Sequence, residues 1–167
     1  VHLAGASIAD CRWTSARKHL LRESRVAATR QLVDSLARLA KPPKVFIAAS
    51  AIGFYGDRGD EELTEASNSG QDFLAGLCRD WEAESSRAAD FGARVVILRF
   101  GIILAKHGGA LPRMALPFRL GVGGRLGSGR QWMSWVTLED AVGLIEFSLG
   151  ATTLSGPVNV ASPDPIR

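Results

Sequence analysis

The 167 residues are enough for one domain with its own core, and 46% hydrophobic with 22% charged residues is ordinary globular composition. No apolar run approaches the roughly 20 residues needed to cross a bilayer, and neither a charged start nor a long apolar stretch marks a secretory leader. Cys11 and Cys78 have no metal or redox spacing and His2, His19 and His107 are scattered, so no metal site is expected and the thiols read as reduced, in a cytoplasmic protein.

Residues 1–3 read as the end of a buried strand. A chain that opens without Met on such a run is expected to be an internal piece of a longer protein. Thr14 caps a helix in which Leu20, Leu21, Val26, Leu32, Val33, Leu36 and Leu39 recur at helical spacing, and Pro42 and Pro43 stop it. Its basic residues, from Arg12 to Arg30, spread around the helix with no aromatic platform. A solvated face explains them better than a nucleic-acid surface does. Residues 44–49 form a short apolar run suited to a strand buried on both faces.

Residues 50–70 form a loop rich in Gly, Asp, Glu and Ser. Its acidic residues, Asp57, Asp60, Glu61, Glu62 and Glu65, read as solvated, because like charges so close do not ionise together in a buried site. Asp72 caps a second long helix, 73–91, with Phe73, Leu74, Leu77, Trp81, Ala88 and Phe91 on its apolar face and Gly92 at its end. Residues 94–99 are the next buried strand. Seven glycines between Gly108 and Gly129 then break the chain into short pieces. A short helix fits 110–120, Thr137 with Glu139 and Asp140 starts another that Gly150 closes, and 158–160 is one more short strand.

Strands alternating with helices predict an α/β protein: part of a Rossmann-like, doubly wound parallel sheet, with right-handed crossovers and a small mixed segment on the substrate side. The expected division is 1–105 for the second half of the dinucleotide-binding domain and 106–167 for the substrate-side segment, interleaved with the end of that domain. A glycine-rich G-x-G-x-x-G turn between strand and helix would cradle a pyrophosphate. No such turn occurs in that context here, so the phosphate turn is expected upstream.

Five segments, in order, resemble the later parts of an extended short-chain dehydrogenase/reductase of the NAD(P)-dependent epimerase/dehydratase family. Val1-His-Leu-Ala-Gly5 resembles the strand end where backbone passes the cofactor. Residues 48–56, Ala-Ala-Ser-Ala-Ile-Gly-Phe-Tyr-Gly, resemble the strand end that presents a catalytic Ser or Thr. Leu98-Arg-Phe-Gly-Ile102 resembles the strand end beside the nicotinamide. Residues 127–136 with Glu139-Asp140, and Pro157-Val-Asn-Val160, resemble the substrate-side segment and the strand after it. Leu3-Ala-Gly-Ala-Ser7, Arg12-Trp13, Ser24-Arg25, Cys78-Arg-Asp-Trp-Glu82 and Pro117-Phe-Arg-Leu-Gly121 narrow the resemblance to atypical epimerase-like oxidoreductases. The resemblance implies a cofactor, NADP with NAD as the alternative, a small-molecule carbonyl or hydroxyl substrate, and room for a homodimer.

The family mechanism uses a Tyr-x-x-x-Lys pair in which the Lys lowers the Tyr pKa. With Glu82 set on the family's helix glutamate, Leu74 and Cys78 stand in the Tyr and Lys positions. That helix has neither residue, and the only tyrosine is Tyr55.

Ser50 and Tyr55 are therefore the catalytic candidates. Ser50 either orients a substrate oxygen or caps the loop. Tyr55 supplies an acid or, the preferred reading, packs its ring. Leu3, Ala4, Gly5, Ala6, Arg12, Ser50, Gly101 and Ile102 are the cofactor-side candidates. Gly5 and Ala6 are small where backbone approaches a ligand, while Arg12 reaches a phosphate or is a surface residue. Arg130, Gln131 and Trp132 either line a substrate pocket or lie on an exposed ribbon. Cys78 reads as a small buried hydrophobe. Three functions stay open: an NAD(P)-dependent oxidoreductase or epimerase with an unusual acid–base group, a non-catalytic dinucleotide-binding sensor or interaction protein, and, weakest, a nucleic-acid-associated protein using the basic first helix.

Overall fold

A computed structural model describes residues 1–125 and 127–167. Three strands, β1 (Val45–Ala51), β2 (Arg94–Phe100) and β5 (Gly156–Val160), form a parallel sheet in the order β1-β2-β5. The chain start adds to its other edge. His2 bridges Ala48 in parallel, its N–H donating to Ile47 O (2.8 Å) and its carbonyl accepting from Ala49 N (2.9 Å). The sequence thus correctly predicts a doubly wound parallel α/β sheet.

Helices form where capping and periodicity agree. Thr14, Asp72 and Thr137 each accept a backbone N–H of the first turn, capping α1 (Ser15–Arg22), α3 (Phe73–Ser86) and α5 (Leu138–Gly150). The expected single first helix is interrupted by a π-helical turn, Glu23–Ala27, before it resumes as α2 (Ala28–Ala37). The extra residue in that turn puts Arg25 and Val26 side by side on the buried face. Leu20 and Leu39, expected in the core, stay exposed. Adjacent positions on a helix point about 100° apart, and the core takes Leu21 rather than Leu20. The second helix tightens to 3-10 geometry at Arg87–Phe91 before Gly92, at φ 83°, ends it. The sequence reading misses a second, two-stranded parallel sheet made by β3 (Ile102–Leu104) and β4 (Trp135–Thr137), with α4 (Ala110–Arg119) between them.

Side chains alternate across the sheet, so each face has its own core. Phe46, Ala48 and Val95 pack with Val33, Leu36 and Ala88 of the first two helical segments. Ile47, Val96, Leu98 and Val160 point the other way, onto Ala141, Leu144 and Ile145 of α5. Arg94 fixes α5 from the sheet, donating to the carbonyls of Ser148 (3.0 Å) and Leu149 (3.1 Å) at the helix end, where cations are stabilised.

This arrangement corrects one expectation. The connections into β1 and into β2 run over the same face, and that from β2 to β5 runs through α5 on the opposite face. All three step the same way across the sheet, so the third has the opposite hand and a uniformly right-handed set is excluded. The preference for the right hand belongs to compact strand–helix–strand units. Here the chain first makes an excursion through β3, α4 and β4, which frees it to return on the other side.

A buried hydroxyl ties the first strand to the helices. Thr29, fully buried on α2, accepts from Trp81 Nε1 (2.9 Å) and lies 2.9 Å from His2 Nε2. Thr29→Val keeps the volume but leaves both ring nitrogens without that partner. It is expected to destabilise the fold by about 2 kcal/mol in guanidinium unfolding.

Candidate functional site

The sheet register defines one edge. His2, Ala48 and Ile97 lie in a row across the strands. Ala51 and Phe100 stand three residues further along β1 and β2, and Gly5 follows His2 by the same number of residues beyond its bridge. Gly5, Ser50–Ala51 and Gly101 therefore meet at the C-terminal edge, where open α/β sheets bind ligands. Leu3, Ala4 and Gly5 are exposed there, and Ala6 N donates to Ser24 Oγ (3.1 Å). Arg12 is exposed, in the turn leading to α1. Gly101 is glycine for a local reason: a Cβ would fall 2.8 Å from the Ser134 carbonyl oxygen, so the substrate-side chain passes directly against it. Ile102 N then donates to that same carbonyl (2.9 Å), starting the second sheet.

Just inside this edge lies a polar row. Ser50, Arg99 and Asn159 are register partners on β1, β2 and β5, so their side chains share one face. α3 covers that face and places Glu82 over it. The Arg99 guanidinium, 3% exposed, pairs with Glu82 through two parallel bonds, Nε to Oε1 (2.9 Å) and Nη2 to Oε2 (2.8 Å). Ser50 Oγ donates to Glu82 Oε1 (2.5 Å). Arg99 Nη1 donates to Tyr55 Oη (3.0 Å), and that hydroxyl donates to Asn159 Oδ1 (2.6 Å). The Phe54 ring lies over Arg99 with its centroid 3.5 Å from Cζ. Burial opposes the Arg99 charge, and the bonds from Glu82 and Tyr55 outweigh it, holding the guanidinium pKa above its ordinary value.

Both catalytic candidates are thus parts of a buried network. The Ser50 and Tyr55 hydroxyls are engaged by charged or amide partners, which gives Tyr55 the packed role the sequence reading preferred. Leu74 packs near Gly53, in the position resembling the family Tyr. Cys78, in the Lys position, lies beside Ser50, where burial pushes its thiol up to about 11 and Ser50 opposes the rise.

The substrate-side candidates lie elsewhere. Trp132 is 46% exposed, and its Nε1 donates to Asp60 Oδ1 (2.7 Å) while Arg167 stacks on its ring at 4.0 Å. Arg130 N donates to Ser128 Oγ (3.2 Å), and Gln131 faces Ser128 at 3.4 Å. The acidic loop is less free than its charge suggested. Asp60 holds Trp132 and Arg167, Glu61 pairs with Arg58, and Glu65 accepts from Asn159 N (2.8 Å). Among the described residues, no group of three or more His, Cys, Asp or Glu is placed to hold a metal ion, and no helix is long and apolar enough to cross a membrane.

Sequence reasoning noted Arg25 only as part of a motif. The structure makes it a buried residue, 8% exposed, at this edge. A Cβ on Gly5 would fall 2.9 Å from its Cζ, and the guanidinium lies 5.3 Å from the Trp81 ring. The signal available in the sequence was its place on the apolar stripe, four residues after Leu21 and four before Thr29.

Two outcomes follow from this geometry. Glu82→Gln leaves the Arg99 cation buried without its counter-charge and is expected to lower stability by about 3 kcal/mol in chemical denaturation. A thiol pKa near 11 leaves about one part in a thousand of Cys78 as thiolate at pH 8, so a thiol reagent should label exposed Cys11 and spare Cys78 until the protein unfolds.

Comparison with known proteins places this architecture. Epimerase family protein Mb2239 of Mycobacterium bovis is 45% identical over 166 residues, 99% of this chain and 54% of the relative. Epimerase family protein YfhF of Bacillus subtilis is 40% identical over 167 residues, with 99% and 54% covered. The chain spans about half the length of these curated relatives. The human epimerase family protein SDR39U1 (isoform 2), solved with NADPH, superposes with a TM-score of 0.90 at 32% identity, covering 96% of this chain and 55% of that one. The nucleoside-diphosphate sugar epimerase of Corynebacterium glutamicum superposes with a TM-score of 0.84 at 41% identity, over 93% and 34%. The pattern of the NAD dependent epimerase/dehydratase family matches residues 1–161, and the chain, with its parallel sheet, belongs to that family.

Proposed function

We propose that the whole protein binds NADP(H) along this edge and transfers hydride to or from a small carbonyl or hydroxyl compound, with NAD as the alternative cofactor. The observation that carries the reading is the convergence of Gly5, Ser50–Ala51 and Gly101 at one level of the sheet, its C-terminal edge. The NADPH held by the human relative supports the choice of cofactor. In this reading Leu3, Ala4, Ala6 and Arg12 flank the dinucleotide on one side and Gly101 and Ile102 on the other. Arg130, Gln131 and Trp132 belong to the substrate side. The dinucleotide supplies the hydride, and the chain's own residues shape and dry the edge.

One observation favours a second reading, a dinucleotide-binding protein without turnover. The hydroxyls of Ser50 and Tyr55 are held by Glu82, Arg99 and Asn159, and Leu74 and Cys78 offer no acid or base near neutrality.

Titration of the full-length protein with NADPH and NADH, followed by dinucleotide fluorescence, tests the shared core of both readings. Micromolar binding with NADPH preferred is expected, and binding of neither form overturns both. A panel of carbonyl compounds assayed for NADPH oxidation then separates them. Under the first reading a substrate appears among the panel and NADPH is consumed. NADPH binding with no consumption across the panel selects the second.

A further inference from the structure

Two of the four guanidinium groups of the first helical segment have carboxylate partners on α3. Arg22 pairs with Asp80, and Arg30 with Glu84 at 2.6 Å. Arg25 has none. Its only hydrogen bond among the described residues is a long one, Nη1 to Ser24 Oγ at 3.5 Å; its Cζ lies 5.3 Å from the Trp81 ring centroid and 2.9 Å from where a Cβ on Gly5 would stand. Arg17 approaches the same segment from α1. It donates to the Ser7 carbonyl, and its buried Nε has no partner. The carboxylate within electrostatic reach of Arg17 is Asp10, which already pairs with Arg113 at 3.1 Å. Two cations therefore converge on residues 5–7 with unused donors. Burial pushes the Arg25 pKa down and the neighbouring Arg17 charge adds to the fall, against an opposing contribution from Cys78.

A buried cation without a counter-charge is stabilised when an anion arrives. The guanidinium fork is suited to phosphate oxygens, which it binds through paired donors. The π-helical turn is what brings Arg25 to this edge, and such turns recur at functional sites. Gly5 is the close-approach point: a side chain there would meet the guanidinium head-on. The position is also the edge of Cys78, the residue standing where the family pattern has its lysine, and the two groups are near enough to interact electrostatically.

We propose that Arg25, with Arg17 beside it, is the cationic seat for the ribose phosphate on the nicotinamide side of the dinucleotide. Arg25 thereby supplies, from the first helical segment, a positive charge that α3 no longer carries. The inference rests on the dinucleotide reading given above.

The test uses the full-length protein and two probes, NADPH and 2′,5′-ADP, which carries only the adenosine side of the cofactor. Arg25→Met is expected to weaken NADPH binding by about tenfold or more and leave 2′,5′-ADP binding unchanged. Arg25→Lys, which keeps the charge and loses the fork, should recover part of the loss. A merely structural role would weaken both probes together, and that result overturns the proposal. Unchanged NADPH affinity in a folded Arg25→Met protein overturns it as well. If that variant does not fold, Arg17→Gln, at a half-buried position, gives the same differential reading with a smaller loss. Failure of the wild-type protein to bind NADPH removes the dinucleotide reading itself, an outcome distinct from either variant result.

Discussion

The Arg99–Glu82 pair is the constraint around which the rest of this structure is arranged. An arginine in the middle strand of a parallel sheet is tolerated only if every donor finds an acceptor and the charge finds a carboxylate. Glu82 reaches down from α3 and takes two of the donors, while the Tyr55 hydroxyl and the Glu65 carbonyl take the third nitrogen. Satisfying Arg99 therefore fixes where α3 lies over the sheet, how the loop after β1 folds back, and which face of β5 turns inward to offer Asn159. The row Ser50–Arg99–Asn159 locks three strands in register just behind the C-terminal edge of the sheet. Rigid backbone at that edge is what a cofactor site needs, because donors that are already placed are not reorganised on binding.

The same constraint governs the chemistry. A serine at a strand end and a tyrosine a few residues later invite a catalytic reading, and both hydroxyls are taken by the network that stabilises Arg99. Their positions are close to the edge, yet their donors point away from it. Leu74 and Cys78, at the positions that resemble the family's tyrosine and lysine, lie in or beside the apolar packing of α3. The edge keeps backbone, small residues and Arg25.

Several features were legible because each depends on neighbours in sequence. The caps Thr14, Asp72 and Thr137 act on N–H groups three residues away, and all three form as read. The runs at 44–49 and 94–99 are apolar on both alternating sets of positions, which only a strand covered on both faces uses. The π turn was not legible, since Leu21, Val26, Leu32 and Val33 fit an uninterrupted helix about as well. The second sheet was hidden for another reason. β3 and β4 are three residues each and pair across about 30 positions, so neither carries a period of its own.

By itself, the sequence determined the alternation of strands and helices, their parallel order, the absence of the tyrosine–lysine pair and the family that the motifs resemble. All of these follow from local periodicity, capping and residue identity. Only the tertiary structure decided which polar groups are partners and which are left over. Arg99 and Arg25 look alike in sequence, each a basic residue beside apolar ones. Folding places one against Glu82 and the other against Gly5 and an indole ring. Whether a buried charge is satisfied depends on atoms brought from distant parts of the chain, because electrostatic and hydrogen-bonding energies act over a few ångströms of space, whatever the separation in sequence. The hand of the last crossover belongs to the same class, since the face on which α5 lands is chosen by packing against Ile47, Val96 and Val160 rather than by the helix itself.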